Sequence, residues 1–177
     1  MRTIMISGKA GHGKDTFASL LKEQLEQQNK TVLIIKFGDA VKWLASKYMN
    51  YRDMKDQQDR EILQLLGTEI MRKYNEDYWA ELVGQFLAAM DTQDQWQYCI
   101  ISDWRFPNEY DVLSKYFNNI ITIRIERYDY INPSMSFLQK KHISECALDN
   151  FAFNWIVENH NDINELKESA KILISQL

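Results

Sequence analysis

The chain has few of the residues that build cross-linked, zinc-stapled or membrane-spanning proteins. Its 177 residues include two cysteines, two prolines and three histidines. Cys99 and Cys146 are too few and too widely separated for a disulfide framework, which indicates reduced thiols. The histidines share no ligand spacing with each other or with a cysteine, so we expect no structural zinc. Apolar runs stay well below the ~20 residues of a membrane helix, which predicts a protein without a membrane partner.

An excess of positive charge is also lacking. Lysine and arginine number 21 against 25 aspartates and glutamates, which gives a formal net charge of -4. The two signs are mixed along the chain, without the basic stripe that follows a nucleic-acid backbone, so we expect no polymeric nucleic-acid partner. The first residues enter an apolar run without a charged leader or an apolar signal region, which predicts a cytoplasmic location.

The chain does contain a regular alternation of two kinds of segment. A hydrophobic content of 45% over this length suits one well-buried core, so we predict a single domain over residues 1–177. Apolar runs of strand length alternate with longer segments of helical period, the pattern of an α/β protein with a mostly parallel sheet. Five strands are predicted, at residues 3–7, 31–36, 98–102, 120–126 and 155–158.

Two longer segments lie between these strands. Residues 39–90 are helical in period but too long for one crossover helix, and breaks near Asn50 and Asn75 divide them, which predicts a helical substrate-binding insertion. Residues 127–145 contain Pro133, tyrosines and bases with weak periodicity, which is typical of a mobile lid or of a static surface loop. Further helices are predicted over residues 14–28 and after Asp162, the first residue of a capping box.

The segment directly after the first strand carries the clearest chemical signal. It reads SGKAGHGKDT over residues 7–16. Gly8, Gly11 and Gly13 let backbone N–H groups turn inward where a side chain would block a phosphate, and the following helix points its positive end at the same place. Lys14 supplies a mobile ammonium for the β- and γ-phosphates of a nucleotide. The pattern predicts a nucleotide-binding phosphate loop.

This loop departs from the common G-x-x-x-x-G-K-[ST] pattern just after its lysine. A carboxylate, Asp15, stands where a hydroxyl usually ligates magnesium, and Thr16 follows it. Either oxygen suits Mg²⁺, which takes hard oxygen ligands directly or through water. The alternative is that Asp15 is an acid favoured by the helix dipole in the first turn.

Further candidates follow the other strands, because ligands of parallel sheets bind beyond the carboxyl ends of the strands. After the third strand, Asp103 can hold Mg²⁺ and Arg105 can grip a phosphate with two hydrogen bonds, or the two can form an ion pair. Trp104 between them can stack on a base or pack in the core. The remaining candidates are Asp39, Lys42, Arg72, Glu109 and Arg127.

Four pieces of the chain together resemble deoxynucleoside monophosphate kinases of the bacteriophage type. They are GKDT at residues 13–16, LQLLGTE at 63–69 with Arg72 and the Tyr78-Trp79 pair, the Asp103-x-Arg105 element, and HISE at 142–145. The resemblance covers nearly the whole chain and implies a three-layer P-loop kinase fold of the adenylate-kinase type. It also implies ATP and Mg²⁺ as cofactors, a deoxynucleoside 5′-monophosphate as acceptor and, for a phage protein, the cytoplasm of the host.

The resemblance further implies a role for each candidate residue. The donor nucleotide is bound by Gly8, Gly11, His12, Gly13, Lys14, Asp15, Thr16 and Asn159. Magnesium lies by Asp15, Thr16 and Asp103. The resemblance assigns Lys42, Arg72 and Arg105 to the acceptor, and the positions of Asp39, Trp104 and Glu109 after the strands add these three as further candidates for acceptor binding. Catalysis falls on Lys14, Asp103, Arg105 and Arg127, the last arriving with the lid. Where the family often has an acid shortly before HISE, this chain has Lys140 and Lys141, which changes the charge balance of the lid.

Two other functions stay open on the sequence alone. A kinase of the same fold can take dephospho-coenzyme A, phosphomevalonate or a nucleoside as its acceptor. A nucleotide-binding regulatory module would instead bind a nucleoside triphosphate without turning over a small molecule. The sequence has no Asn-Lys-x-Asp element and no glutamine in a Gly-rich switch loop, which disfavours the module. It does not decide between a monomer and a homodimer.

Overall fold

A five-stranded parallel sheet forms the centre of the structure, a computed structural model that describes residues 1–54, 56–128, 130, 132–133 and 135–177. The strands are β1 (Arg2–Ser7), β2 (Val32–Ile35), β3 (Tyr98–Trp104), β4 (Ile120–Glu126) and β5 (Trp155–Glu158). All pair in parallel, in the order β2-β3-β1-β4-β5. The carboxyl end of β1 therefore lies between those of β3 and β4, at the middle of one sheet edge.

Helices connect and cover the strands. They are α1 (Lys14–Gln27), α2 (Gly38–Tyr48), α3 (Gln57–Gln64), a π-helical segment (Leu65–Ile70), α4 (Met71–Tyr74), α5 (Tyr78–Asp91), α6 (Pro107–Leu113), α7 (Phe137–Lys140), α8 (Ile143–Cys146) and α9 (Ile163–Ser175). Within the described ranges, none of these helices has the length and apolar character needed to cross a bilayer.

The sheet separates two apolar cores, because successive side chains of a strand point to opposite faces. Ile4 and Ile6 of β1 pack with α1 and α9, around the fully buried ring of Phe17. Met5, between them, packs on the opposite face with residues of α5 and α6, including Leu87. Helices therefore cover both faces of the sheet, which is the three-layer α/β arrangement expected from the sequence.

The predicted elements agree closely with the observed ones. All five predicted strands are present, each within two residues of its predicted ends. The insertion breaks where expected: Asn50 has a positive φ of 56°, and Asn75 is extended after α4. The structure adds three short helices that we did not predict, α6, α7 and α8. α7 lies within the segment predicted as a lid, and α8 begins within it and ends one residue beyond it.

Candidate active site

The loop after β1 has the backbone conformation that its glycines suggest. Gly8, Gly11 and Gly13 have φ values of 145°, 84° and 97°, which side chains other than hydrogen rarely tolerate. A Cβ on Gly8 would lie 2.5 Å from the carbonyl oxygen of Ile125, and one on Gly13 would lie 2.6 Å from Nδ2 of Asn159. The loop is thus pressed against the ends of β4 and β5 too closely for any larger residue.

Lys14 begins α1 and is folded back on its own loop. Its Nζ donates to the carbonyl oxygens of Gly8 and Lys9 at 2.8 and 2.9 Å. Burial, together with the positive charge of Arg105, lowers the pKa of Lys14 to about 7. An anion placed beside this amine would favour its charged form, because an opposite charge raises the pKa of a lysine.

Asp15, in the first turn of α1, contacts a residue of β3 and the residue that follows β2. Its Oδ1 accepts a hydrogen bond from Oγ of Ser102 at 3.0 Å and pairs with Nζ of Lys36 at 2.8 Å. Burial raises the pKa of Asp15, but the hydrogen bond and charge of Lys36 outweigh it and hold the pKa below its ordinary value. Asp15 therefore offers an ionised carboxylate beside a hydroxyl, while Thr16 is exposed one residue further on.

These oxygens fit a magnesium ion of the kind found in phosphoryl-transfer enzymes. Mg²⁺ is usually held by one or two carboxylates, several waters and the substrate phosphates rather than by a cage of protein ligands. Asp15 with Ser102 supplies such a donor pair. In the described part of the chain no cluster of three or more His, Cys, Asp or Glu residues could hold a metal without a ligand's help.

Asp103 is bonded to the backbone at the start of α2. Its Oδ1 and Oδ2 accept the N–H groups of Phe37 and Gly38, each at 2.8 Å. Burial raises the pKa of Asp103, although these two amides and Arg105 oppose the rise. The carboxylate fixes the second strand-to-helix turn against the third strand, and magnesium ligation by Asp103 can use only its remaining lone pairs.

Arg105 is linked to the phosphate loop by the carboxylate of Glu145. Its Nη1 contacts Oε1 of Glu145 at 2.6 Å and the carbonyl oxygen of Ser144 at 3.3 Å. The other oxygen of Glu145, Oε2, accepts the backbone N–H of Ala10 at 2.9 Å. One side chain from the end of the predicted lid therefore joins the phosphate loop to the arginine that follows β3.

Arg72 and Glu109 brace the turn that carries Arg105. Glu109 accepts the backbone N–H groups of Arg105 and Phe106 at 2.8 and 3.0 Å. It also pairs with Arg72, whose guanidinium lies 3.8 Å above the Phe106 ring. Burial raises the pKa of Glu109 to about 7, against the charge of Arg72. Both side chains make their observed contacts inside the protein, so they support Arg105 from behind.

Of the two roles that the sequence left open for Trp104, stacking on a base and packing in the core, the structure shows packing in the core. Its ring is fully buried and packs against Phe151 and Phe153, with centroids 4.7 and 5.4 Å away. Its Nε1 donates to the carbonyl oxygen of Phe106 at 2.7 Å. The ring shares its core with Cys99 and Ile101 because the register between β1 and β3 shifts between the Met5–Ile101 and Ser7–Trp104 pairs. This irregularity offsets the usual alternation of side chains along a strand.

The segment after β4 packs on the phosphate loop. The backbone N–H of Arg127 donates to Nδ1 of His12 at 3.2 Å, and the Arg127 guanidinium lies 4.4 Å from the Tyr130 ring centroid. Burial lowers the pKa of His12, a hydrogen bond with the Ile125 backbone opposes this, and the nearby charge of Lys14 lowers the pKa further. The lowered pKa favours the neutral ring, whose Nδ1 can accept this bond. Residues 129, 131 and 134 of the predicted lid lie outside the described residues.

The other predicted site residues are placed less centrally. Asn159 donates from Nδ2 to the carbonyl oxygen of His12 at 2.9 Å and is 7% exposed, so its observed contact holds the loop. Lys42 lies 3.7 Å from a carboxylate oxygen of Asp53. Asp39 is exposed in the first turn of α2. The described contacts link neither Lys42 nor Asp39 directly to the phosphate loop.

Three residues of the site did not stand out in the sequence. Lys36 ends the predicted second strand and Ser102 the third, so both satisfied the strand pattern and no separate signal marked them. Glu145 belongs to the HISE element, but only its resemblance to a motif singled it out, not a chemical role. The contact partner of each lies more than 20 positions away along the chain, which spacing alone cannot reveal.

Comparisons with solved structures agree with the fold. The chain is similar to APS kinase CysC from Mycobacterium tuberculosis, with 11% identity, 98% of this chain and 96% of that chain covered, and a TM-score of 0.55. The same enzyme in complex with AMPPNP and APS matches with 9% identity, 98% and 95% coverage and a TM-score of 0.55. A sugar kinase from Janibacter sp. HTCC2649 matches with 14% identity, 99% and 95% coverage and a TM-score of 0.56.

A search of curated proteins found no match. The family model for deoxynucleotide monophosphate kinase, in contrast, matches residues 34–170. This range contains Lys36, Ser102, Asp103, Arg105 and Glu145, and it includes β3, β4, β5 and the end of β2. Because this match covers more than half of the chain, the chain belongs to the deoxynucleotide monophosphate kinase family.

Proposed function

We propose that this protein transfers the γ-phosphoryl group of ATP to a deoxynucleoside 5′-monophosphate and so forms the diphosphate. Phosphoryl transfer by a P-loop kinase follows from the family and the fold. The observation that carries the finer proposal is the link between the phosphate loop and Arg105, made through Glu145. A cationic side chain held beside the phosphate loop can bind the phosphate of a second substrate through charge-assisted hydrogen bonds.

On the donor side, the loop amides and Lys14 bind the phosphates of ATP. The loop's positive-φ glycines turn N–H groups toward one centre, and the adjoining helix terminus adds a favourable dipole. When ATP binds, Nζ of Lys14 exchanges its contacts with the Gly8 and Lys9 carbonyls for phosphate oxygens. The charge that spreads over the transferred group is then neutralised by a preorganised cation.

Asp15, with Ser102 beside it, would hold Mg²⁺ together with the ATP phosphates. Thr16 is a further ligand in this proposal, directly or through water, and Asp103 is a ligand through its remaining lone pairs. The ion would supply charge neutralisation at the phosphates. Lys36, which pairs with Asp15 here, orients that carboxylate and keeps it ionised.

On the acceptor side, the guanidinium of Arg105 grips the monophosphate. It is 26% exposed and carries five N–H donors in a planar fork, so one edge remains for a phosphate. Arg72 and Glu109 stiffen its backbone, and in this proposal Asp39 and Lys42, both on α2, add further contacts to the acceptor. A general base is unnecessary, because the acceptor phosphate is already an oxyanion at neutral pH.

Arg127 completes the arrangement from the lid. Its backbone contacts His12 of the loop, and in this proposal its guanidinium leaves the Tyr130 ring and binds the transferred phosphate when the substrates are present. Closure over both substrates would exclude water and suppress hydrolysis of ATP.

A coupled assay of ADP release tests the proposal directly. The acceptors are the ribo- and deoxy-monophosphates of each base, with dephospho-coenzyme A, phosphomevalonate and a nucleoside as competitors for the assignment. We expect ADP release that depends on a deoxynucleoside monophosphate and disappears in Lys14→Met, whereas Lys22→Met on the same helix remains active. Turnover with one of the other acceptors alone, or nucleotide binding without turnover, would contradict it.

A further inference from the structure

The carboxylate of Glu145 occupies the only position described here that touches both halves of the proposed site. Its Oε2 lies 2.9 Å from the Ala10 amide of the donor loop, and its Oε1 lies 2.6 Å from Nη1 of Arg105. The side chain is 8% exposed. We propose that Glu145 is a positioning residue that sets the place of the acceptor arginine relative to the donor loop. This inference rests on the proposed function.

Glu145 does not occupy the place in the phosphate loop where a phosphate of the nucleotide would bind. It accepts from Ala10, at the rim of the loop, whereas the amides that surround a bound phosphate come from the residues nearer the start of α1. Lys14 does not bond to it, since the ammonium donates to Gly8 and Lys9. Glu145 therefore leaves the centre of the loop to the donor nucleotide.

Arg105 keeps a binding edge while it is held by Glu145. In the described part of the chain its side-chain hydrogen bonds start from Nη1, to Glu145 and to the carbonyl oxygen of Ser144. Nε and Nη2 form another edge of the planar guanidinium, and a phosphate at that edge can accept two parallel hydrogen bonds. Glu145 thus orients the guanidinium from one side and the acceptor binds it from the other.

The turn around Glu145 is itself well anchored. The backbone N–H of Glu145 donates to the carbonyl oxygen of His142 at 2.8 Å, and Nδ1 of His142 contacts Oγ of Ser144 at 2.8 Å. Nε2 of His142 lies 3.7 Å from Glu69 in the π-helical segment. The HISE element therefore places a carboxylate at a fixed point between insertion, loop and arginine.

Alignment of two phosphates is the main task of such an enzyme, and a misplacement of ~1 Å lowers the rate by about 100-fold. Glu145→Gln keeps the side-chain length but puts an NH₂ group opposite one of two donors, so only one link can remain. Glu145→Asp keeps the charge but is too short by one methylene to span both groups. Glu23→Gln, which alters an exposed ion pair with Lys167, is the matched control.

The kinetic arm separates positioning from binding. We expect Glu145→Gln to lower kcat by about 100-fold, with both KM values within about 3-fold of wild type. The kcat of Glu145→Asp should also stay below that of wild type. If Glu145 served only to balance charge, aspartate would keep the charge and the wild-type kcat. In an Arg105→Lys background, Glu145→Gln should have little further effect, because its action passes through Arg105. The proposal would be overturned if Glu145→Gln raised kcat or bound inorganic phosphate more tightly than wild type. Full additivity of the effects of Glu145→Gln and Arg105→Lys on kcat would also overturn it.

Hydrogen exchange in the protein without nucleotide supplies a second arm that needs no turnover. Peptides covering residues 8–16 and 142–147 should lose protection in Glu145→Gln and keep it in Glu23→Gln, because the Ala10 amide loses its partner. Unchanged exchange in both peptides would refute the link. If the wild-type protein phosphorylates no monophosphate, the proposed function fails, and the exchange result alone then decides whether Glu145 joins the two elements.

Discussion

Replacing Lys14 with methionine should remove a pH dependence from the stability of the nucleotide-free protein. The Lys14 residue is 9% exposed. Its amine donates hydrogen bonds to two carbonyl oxygens and to no carboxylate of the described residues. Burial lowers its pKa from the ordinary 10.5 to about 7. Methionine keeps the unbranched side chain as far as Cε and removes the titrating amine.

The sign and size of the effect follow from the two pKa values. An unfolded lysine stays protonated up to pH 10.5, whereas folded Lys14 loses its proton above about pH 7. Between these values the unfolded state binds more protons, so the free energy of unfolding rises with pH. At about 1.4 kcal/mol per pKa unit, the burial penalty is about 5 kcal/mol below pH 7 and vanishes above pH 10.5. From about pH 7.5 to about pH 9.5 the penalty falls by about 2.5 kcal/mol.

Urea unfolding of wild type, Lys14→Met and Lys22→Met at those two pH values measures this difference. Wild type and Lys22→Met should gain about 2.5 kcal/mol more than Lys14→Met on going to the higher pH. Calorimetry in two buffers near pH 8.5 should also show that ATP binding takes up about one proton in wild type and none in Lys14→Met. An identical pH response in wild type and Lys14→Met would show that the lysine is fully charged in the folded protein and refute the reasoning.

Three further predictions concern single side chains. Trp104→Ala should lower the free energy of unfolding by about 4 kcal/mol, measured by urea titration, because it empties a core position; a loss below about 1 kcal/mol would mean that the ring is not core. Asp15→Asn should raise the Mg²⁺ concentration needed for half-maximal activity, and an unchanged titration would remove Asp15 from the metal site. Arg105→Lys should raise KM for the acceptor more than for ATP, because an ammonium cannot reproduce the paired hydrogen bonds of a guanidinium; the reverse order would move Arg105 to the donor side.

The elements of the fold could be predicted because each has a local signal. β1, β4 and β5 are short runs of β-branched and aromatic residues, and the phosphate loop is defined by glycines and a lysine at fixed spacing. The breaks at Asn50 and Asn75 were also local, since polar residues there cannot continue an apolar helix face. Such signals depend on neighbours in the sequence and not on the tertiary structure.

The direction and partner of individual site residues could not be predicted in the same way. Trp104 lies between two polar site residues, and only the register of β3 decides that its ring faces Phe151 and Phe153 rather than the cleft. Glu145 forms its two links across 135 and 40 positions of the chain. Nothing in the spacing of acids and bases identifies such pairs before the strands are assembled.

The clamps on the phosphate loop also affect when a growing polypeptide can become active. The loop precedes its partners by a long stretch: Glu145 holds Ala10 from 135 positions downstream, and Asn159 holds His12 from 147 positions downstream. During synthesis on a ribosome, the phosphate loop emerges early but lacks its full set of contacts until residue 159 has left the exit tunnel. A product that ends before residue 145 would therefore carry an intact GKDT motif but lack both of the long-range contacts that hold its loop in the full chain.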